Sequence, residues 1–233
     1  MERISSSNIV SSYGKKIVLN GVNISAQAGQ CVGIVGANGC GKSTLLNILS
    51  GLRRPDKGDI FFDGQRADNK KNNKIFTAYV GYVPQENNLI PELTVKDNLI
   101  IWYRNKDYLE HEVKNGFLQT FGIENMYNMK AGTLSGGMKK RVSIACALAG
   151  NPPILILDEP DAALDLPGKD DIRNYLVMYK QMGGTLLLAT HEESDLDICD
   201  RIYTLCNGKC KEIDKSIRGK ALIQEINNKE RKE

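Results

Sequence analysis

The sequence predicts an α/β fold: a mostly parallel sheet flanked by helices, with an N-terminal antiparallel β subdomain and an inserted helical subdomain. Three observations predict it. Cys31 to Val35, Pro152 to Leu157 and Thr185 to Thr190 are continuous apolar runs, the pattern of strands buried on both faces of a parallel sheet. Arg3 to Ala28 instead distributes Ile4, Ile9, Val10, Ile17, Val18, Leu19, Val22 and Ile24 among polar residues around a Tyr13-Gly14-Lys15-Lys16 turn, which reads as short antiparallel strands. Residues of about 88–149, between the apolar runs, carry their apolar side chains at helical spacing.

Composition narrows the class of protein. The 233 residues are 41% hydrophobic and 25% charged, ordinary for a globular protein able to bury a core. The net charge is only +3, and the basic excesses at Arg66 to Lys74 and Lys209 to Lys232 read as a solvated loop and a solvated end, so no nucleic-acid partner is expected. No apolar run reaches spanning length and Met1-Glu2-Arg3-Ile4 precedes no signal-peptide core, so the chain is expected neither to cross a membrane nor to be exported on its own. The six cysteines sit mostly in apolar runs, as reduced thiols of a cytosolic protein do, and Cys206 with Cys210 lacks the second pair a metal site needs.

Taken in order, the first apolar run leads into Gly36-Ala37-Asn38-Gly39-Cys40-Gly41-Lys42-Ser43-Thr44, which fits G-x-x-x-x-G-K-[ST]. Several N–H donors must converge on a polyphosphate, and Gly36, Gly39 and Gly41 let the backbone approach. Ser43 to Ser50 reads as a helix whose positive end faces the anion. Lys42 supplies a mobile charge near the terminal phosphates and Ser43 a hydroxyl for Mg²⁺, so the core is expected to be of the P-loop NTPase kind. Tyr13 is either a plain turn aromatic or a stacking partner for an adenine, a contact worth roughly 1–3 kcal/mol.

Gly58 to Gly64 reads as a strand closing on Asp63-Gly64, Arg66 to Lys74 as a loop, and Ala78 to Val83 as a strand ending in Pro84-Gln85. Leu93 to Tyr103 is a helix with Thr94 as N-cap and Asp97 in its first turn. Leu109, Val113, Phe117 and Phe121 make a second helix; these phenylalanines and Trp102 are expected in the core, and His111 on the surface. Leu134-Ser135-Gly136-Gly137-Met138 opens a helix from Lys139 to Ala149, with Ser135 a good N-cap and the N-terminus open to an anion. The strand from Pro152 ends in Asp158-Glu159-Pro160, two carboxylates that need a compensating cation such as Mg²⁺ held by Ser43. Ala163-Leu164-Asp165 precedes a helix carrying Ile172, Tyr175, Leu176 and Tyr179, and His191 closes the next strand at a sheet tip, where ligands bind in open α/β folds. Ile202 to Leu205 and Cys210 to Ile213 flank an Asn207-Gly208 turn, and a short helix in the basic tail completes the chain.

In this order, and over essentially the whole chain, the motifs resemble the ATP-binding cassette (ABC) family of ATPases, in the form of a transporter's nucleotide-binding subunit. Tyr13 falls at that family's adenine-stacking aromatic, Gly36 to Thr44 at its phosphate loop, and Gln85 at its Q-loop. Leu134 to Met138 is similar to its LSGGQ signature, with Met138 for the last Gln. Ile154 to Asp158 matches the metal-binding strand, Glu159 the catalytic glutamate, Ala163 to Asp165 the D-loop and His191 the switch histidine. Asp161 departs from the family's small hydroxyl residue.

The resemblance implies a single cassette over 1–233: an α/β core with its β subdomain at about 1–87 and 150–215, the helical subdomain at about 88–149, and a basic tail at about 216–233. It implies ATP hydrolysis with Mg²⁺. Ser43, Asp158 and Gln85 would hold the metal, Lys42 would neutralise β/γ charge, Glu159 would activate water, and His191 would contact the γ-phosphate. ATP would lie between one chain's phosphate loop and Ser135, Gly136 and Gly137 of another, in a homodimer or a heterodimer with a second cassette. Such a dimer would drive separate membrane-spanning subunits docked near Gln85, so the chain is expected in the cytoplasm, peripheral on the membrane. Val80 to Leu99 is similar to small bacterial export cassettes, a lean towards efflux. The alternative is a soluble cassette ATPase outside transport, for example in iron-sulfur cluster assembly; no Asn/Thr-Lys-x-Asp pattern supports a GTPase.

Overall fold

The computed structural model describes residues 2–67, 74–86, 88–103, 105–162 and 164–227. Two long strands, β1 (Glu2–Tyr13) and β2 (Lys16–Gln27), open the chain, followed by β3 (Cys31–Val35), α1 (Lys42–Leu49), β4 (Lys57–Phe62), β5 (Gln65–Arg66), α2 (Lys74–Tyr79) and β6 (Val80–Val83). The helical segment comprises α3 (Val95–Trp102), α4 (Lys106–Lys114), α5 (Phe117–Thr120), α6 (Ile123–Met126) and α7 (Gly136–Ala147). The chain then returns through β7 (Ile154–Asp158), α8 (Leu166–Gln181), β8 (Thr185–Ala189), a 3₁₀ turn (Glu193–Ile198), β9 (Arg201–Cys206), β10 (Lys209–Ile213) and α9 (Gly219–Asn227).

Two sheets result. An antiparallel one has the order β2-β1-β4-β5; the other, β10-β9-β3-β8-β7-β6, is parallel from β9 to β6. All five residues of β3, β7 and β8 are buried, as their unbroken apolar runs require. Their alternate side chains serve two cores. Val32, Ile34, Ile154, Ile156, Leu187 and Ala189 pack with α1 and the antiparallel sheet, whereas Cys31, Val35, Leu155, Leu157, Leu186 and Leu188 pack with α7 and α8. α1 buries Leu45, Leu46, Ile48 and Leu49 completely, because it lies between the two sheets and has almost no wet face.

Local chemistry accounts for the element ends. Thr94 and Asp97 form a reciprocal capping box on α3, Thr94 Oγ1 accepting the Asp97 N–H at 3.1 Å. The Asp63-Gly64 turn between β4 and β5 has φ of 48° and 78°, the left-handed pair a tight hairpin demands. His111 is exposed on α4.

Some expectations need correction. The N-terminal strands are not short: each runs twelve residues, and register shifts at Ser6/Ile9, Ile9/Val10 and Ser11/Ser12 break the alternation that would have marked them as continuous. Ala78 and Tyr79 belong to α2, not to a strand, because Phe76 and Tyr79 turn inward on Phe62, at ring separations of 5.3 and 5.1 Å. The helix expected from Leu109 to Phe121 breaks at Asn115-Gly116, so its fourfold spacing runs across two elements. Trp102 is 53% exposed: the chain leaves helical geometry at Tyr103, whose ring takes the inner position and donates its hydroxyl proton to the Ala145 carbonyl at 3.2 Å. α7 starts three residues before Lys139, directly after its cap Ser135. Of the loop expected from Arg66 to Lys74, residues 68–73 lie outside the described residues, as do Ala163 and residues 228–233. No helix among the described residues is long and apolar enough to cross a membrane.

Replacing the fully buried Leu186 by Ala should cost about 2–5 kcal/mol of unfolding free energy in urea titration. The same change at the exposed Leu166 should stay within about 0.5 kcal/mol.

Candidate active site

The parallel strands deliver their C-terminal ends to one edge, and the loops leaving β3, β7 and β8 meet there. Beyond β3 the chain cannot carry a side chain at Gly36: a Cβ would lie 2.5 Å from the Leu205 carbonyl oxygen and 2.7 Å from Cys40 Sγ. Gly41, at φ 114°, takes a backbone form closed to other residues and lies too near Val18 for a Cβ. α1 begins at once, so its unpaired amides face the loop. Lys42 is folded back and buried, Nζ donating to the Gly36 carbonyl at 2.9 Å.

A cavity of about 630 Å³ opens over this loop, lined among others by Tyr13, Asn38, Lys42, Thr44, Gln85 and Glu159. Tyr13 ends β1 at the cavity wall, its hydroxyl 3.5 Å from Thr44 Oγ1 and one ring face covered by the Arg53 guanidinium at 4.0 Å. Lys16 and Val18 of β2 also line the cavity and carried no signal in the sequence.

At the end of β7, Asp158 is buried and hydrogen-bonded to the Ser43 hydroxyl. Burial pushes its carboxyl above the ordinary range, and the Ser43 hydrogen bond, Lys42 and Lys140 pull it back. Its Oδ1 has no hydrogen-bond partner among the described residues. A buried carboxylate oxygen with nothing to accept from is the donor set a hard cation completes.

Glu159 is the point of convergence. Its backbone sits at φ 46°, an unfavourable geometry for a side-chain-bearing residue, fixed by its N–H donating to the Ala189 carbonyl at 2.8 Å. Its Oε2 accepts from Gln85 Nε2 at 2.8 Å, while Oε1 lies 3.4 Å from His191 Nδ1 and 4.0 Å from Lys42 Nζ. Three sequence-separated residues thus gather around one carboxylate that lines the cavity.

Ser135, Gly136 and Gly137 are not among the residues lining this cavity; Ser135 and Gly136 are exposed at the start of α7, Ser135 Oγ accepting the Met138 N–H at 3.3 Å. Asp165 caps α8 through the Gly168 N–H at 3.0 Å. Sequence reasoning missed Lys140, a lysine with no obvious periodicity. It is buried in α7 and donates to the carbonyls of Pro84 and Gln85 at 3.2 and 3.1 Å. Burial pulls its pKa down, and the charges of Asp158, Asp161 and Glu159 push it back up.

A strand-loop-helix cradle with an inturned lysine, set beside carboxylates at the tip of a parallel sheet, defines a phosphate-loop nucleoside triphosphatase. The profile described as ABC transporter matches residues 19–162, and the chain belongs to this family of ATP-binding cassette ATPases, which bind ATP. Nod factor export ATP-binding protein I of Burkholderia lata is 36% identical over 207 residues, covering 87% of this chain and 67% of that protein. Spermidine/putrescine import ATP-binding protein PotA of Spiroplasma citri is 37% identical over 212 residues, 88% of this chain and 59% of that protein. A solved ATP-binding cassette in a dimeric post-hydrolysis state, bound to ADP and Pi, superposes with a TM-score of 0.80 at 33% identity, over 93% of this chain and 99% of its own.

Gly36→Ala should weaken ATP binding by about tenfold or more in isothermal titration calorimetry, because the added methyl must displace Leu205 or Cys40 and so move the cradle.

Proposed function

We propose that this chain hydrolyses ATP to power movement of a substrate through separate membrane-spanning subunits, and that Glu159 is the group around which turnover is built. The convergence of Gln85, His191 and Lys42 on its carboxylate is the observation that carries the reading. ATP enters the cavity with its phosphates on the amides of Gly36 to Thr44 and its adenine toward Tyr13. Lys42 exchanges the Gly36 carbonyl for phosphate oxygen, neutralising charge that grows as the γ-phosphoryl departs.

Ser43, Asp158 and Gln85 would hold magnesium; the unpartnered Asp158 Oδ1 and the Ser43 hydroxyl beside it fit that ion. Bound there, it would screen the β- and γ-phosphate charge. Glu159 takes the proton of the attacking water, and Gln85 orients that carboxylate. His191, exposed and reaching Glu159 through Nδ1, presents its other face to the γ-phosphate.

Ser135, Gly136 and Gly137 lie outside their own chain's cavity, which supports a head-to-tail dimer where each chain completes the partner's ATP site. That the similar cassette bound to ADP and Pi is dimeric supports pairing of two chains. The exposed Ile90, Ile101 and Trp102 would offer a membrane subunit apolar contacts, the Ile90 segment being held to α3 by Asn98. Membrane attachment on the cytoplasmic face would come through that contact. Similarity runs to both export and import cassettes, so the direction is left to the membrane subunits.

Glu159→Gln should retain ATP binding and accumulate a closed dimer, read by light scattering, with turnover lowered on the order of 10² or more. Hydrolysis at the parent rate would remove Glu159 from the role proposed for it. Trp102→Asp should abolish co-purification of the co-expressed membrane subunits from detergent while leaving the chain's own ATPase within about twofold; unchanged co-purification would relocate the docking surface.

A further inference from the structure

Tyr13 ends β1 with 51% of its surface exposed, so an ordinary side chain in its place would be free to change rotamer. Its ring is held by a residue from the far end of α1. Gly51 closes that helix in the left-handed form, at φ 79°, and the Arg53 N–H donates back to the Asn47 carbonyl at 2.9 Å.

The Arg53 side chain then crosses to β1. Its Nη2 donates to the Ser12 carbonyl at 2.7 Å and its Nε to the Ser11 hydroxyl at 3.2 Å, which fixes the guanidinium plane through two of its nitrogens. With both bonds made, Cζ stands 4.0 Å from the Tyr13 ring centroid, well inside the range of a cation–π contact. Tyr13 lines the ATP cavity and Arg53 does not, so the guanidinium backs the ring from outside while the cavity meets what it leaves uncovered.

We propose that Arg53 is a positioning residue for the nucleotide base: clamped to the end of β1, it holds the Tyr13 ring with one face left for adenine. The inference rests on the adenine placement proposed above. Two physical consequences follow from the clamp. A ring ordered before the base arrives has less side-chain freedom to lose on binding. The span from phosphate cradle to base platform is also fixed, because α1 starts at the phosphate loop and carries Arg53 just beyond its other end; its eight residues make a rod of about 12 Å.

A tie that served only to join α1 to β1 would behave differently. Its loss would disturb the phosphate loop at the start of α1, and every triphosphate would be affected alike. The test is therefore isothermal titration calorimetry of ATP and of inorganic triphosphate, each with magnesium, on the parent, Arg53→Ala, Tyr13→Ala and the double variant. Arg53→Ala should raise the Kd for ATP about three- to tenfold and that for inorganic triphosphate by less than about twofold. In the Tyr13→Ala background, Arg53→Ala should change the Kd for ATP by less than about twofold, because the ring through which it acts is gone. Unchanged ATP affinity in Arg53→Ala, equal weakening of ATP and inorganic triphosphate, or the same loss with and without Tyr13 would each overturn the role of Arg53. Arg53→Gln, which keeps an amide donor for the Ser12 carbonyl and removes the charge, repeats the comparison should Arg53→Ala fail to fold. Tyr13→Ala binding ATP as tightly as the parent would instead remove the adenine placement itself.

Discussion

The three central strands of the parallel sheet are dry along their whole length, and that dryness decides where chemistry can sit. β3, β7 and β8 bury every residue, one face against α1 and the antiparallel sheet and the other against α7 and α8. A polar group within them would lose its hydration with nothing in return, so polar residues wait until the strand ends. Because the strands are parallel, their C-terminal ends leave at the same edge. Gly36, the Asp158-Glu159 pair and the Thr190-His191 pair become neighbours for that reason alone.

Charge crowding at that edge has its own consequences. Asp158, Asp161 and Asp195 are buried, and Glu159 stands beside them. The nearby buried cations are Lys42, from the phosphate loop, and Lys140, from the helical segment. Lys140 reaches across to the carbonyls of Pro84 and Gln85, so the helix that begins at Ser135 is bonded to the strand end that presents Gln85. A shift of α7 must therefore pull on the partner of Glu159. That is a short route by which a second subunit gripping the start of α7 would alter the environment of the carboxylate.

Much of the fold was legible because burial writes itself into sequence where strands are wet on neither face. The phosphate loop was equally legible, since its glycines answer local backbone needs such as the close approach at Gly36. The N-terminal hairpin was harder, because bulges move apolar residues out of strict alternation. Trp102 misled for a related reason: helical spacing places a side chain on a face, but only the path of the next residue decides whether the last turn of that face is covered, and Tyr103 covers it instead. Lys140 gave no warning, since a lysine in a helix is ordinary until a neighbouring loop puts carbonyls over it.

By itself the sequence determined the buried parallel strands, the phosphate cradle and the residue types available for ATP chemistry, because periodicity, glycine geometry and capping act over a few neighbouring residues. Only the tertiary structure decided that Gln85, His191 and Lys42 meet on one oxygen pair of Glu159. Those contacts join residues brought together by strand pairing rather than by chain proximity, and the protonation of a carboxyl depends on what packs against it.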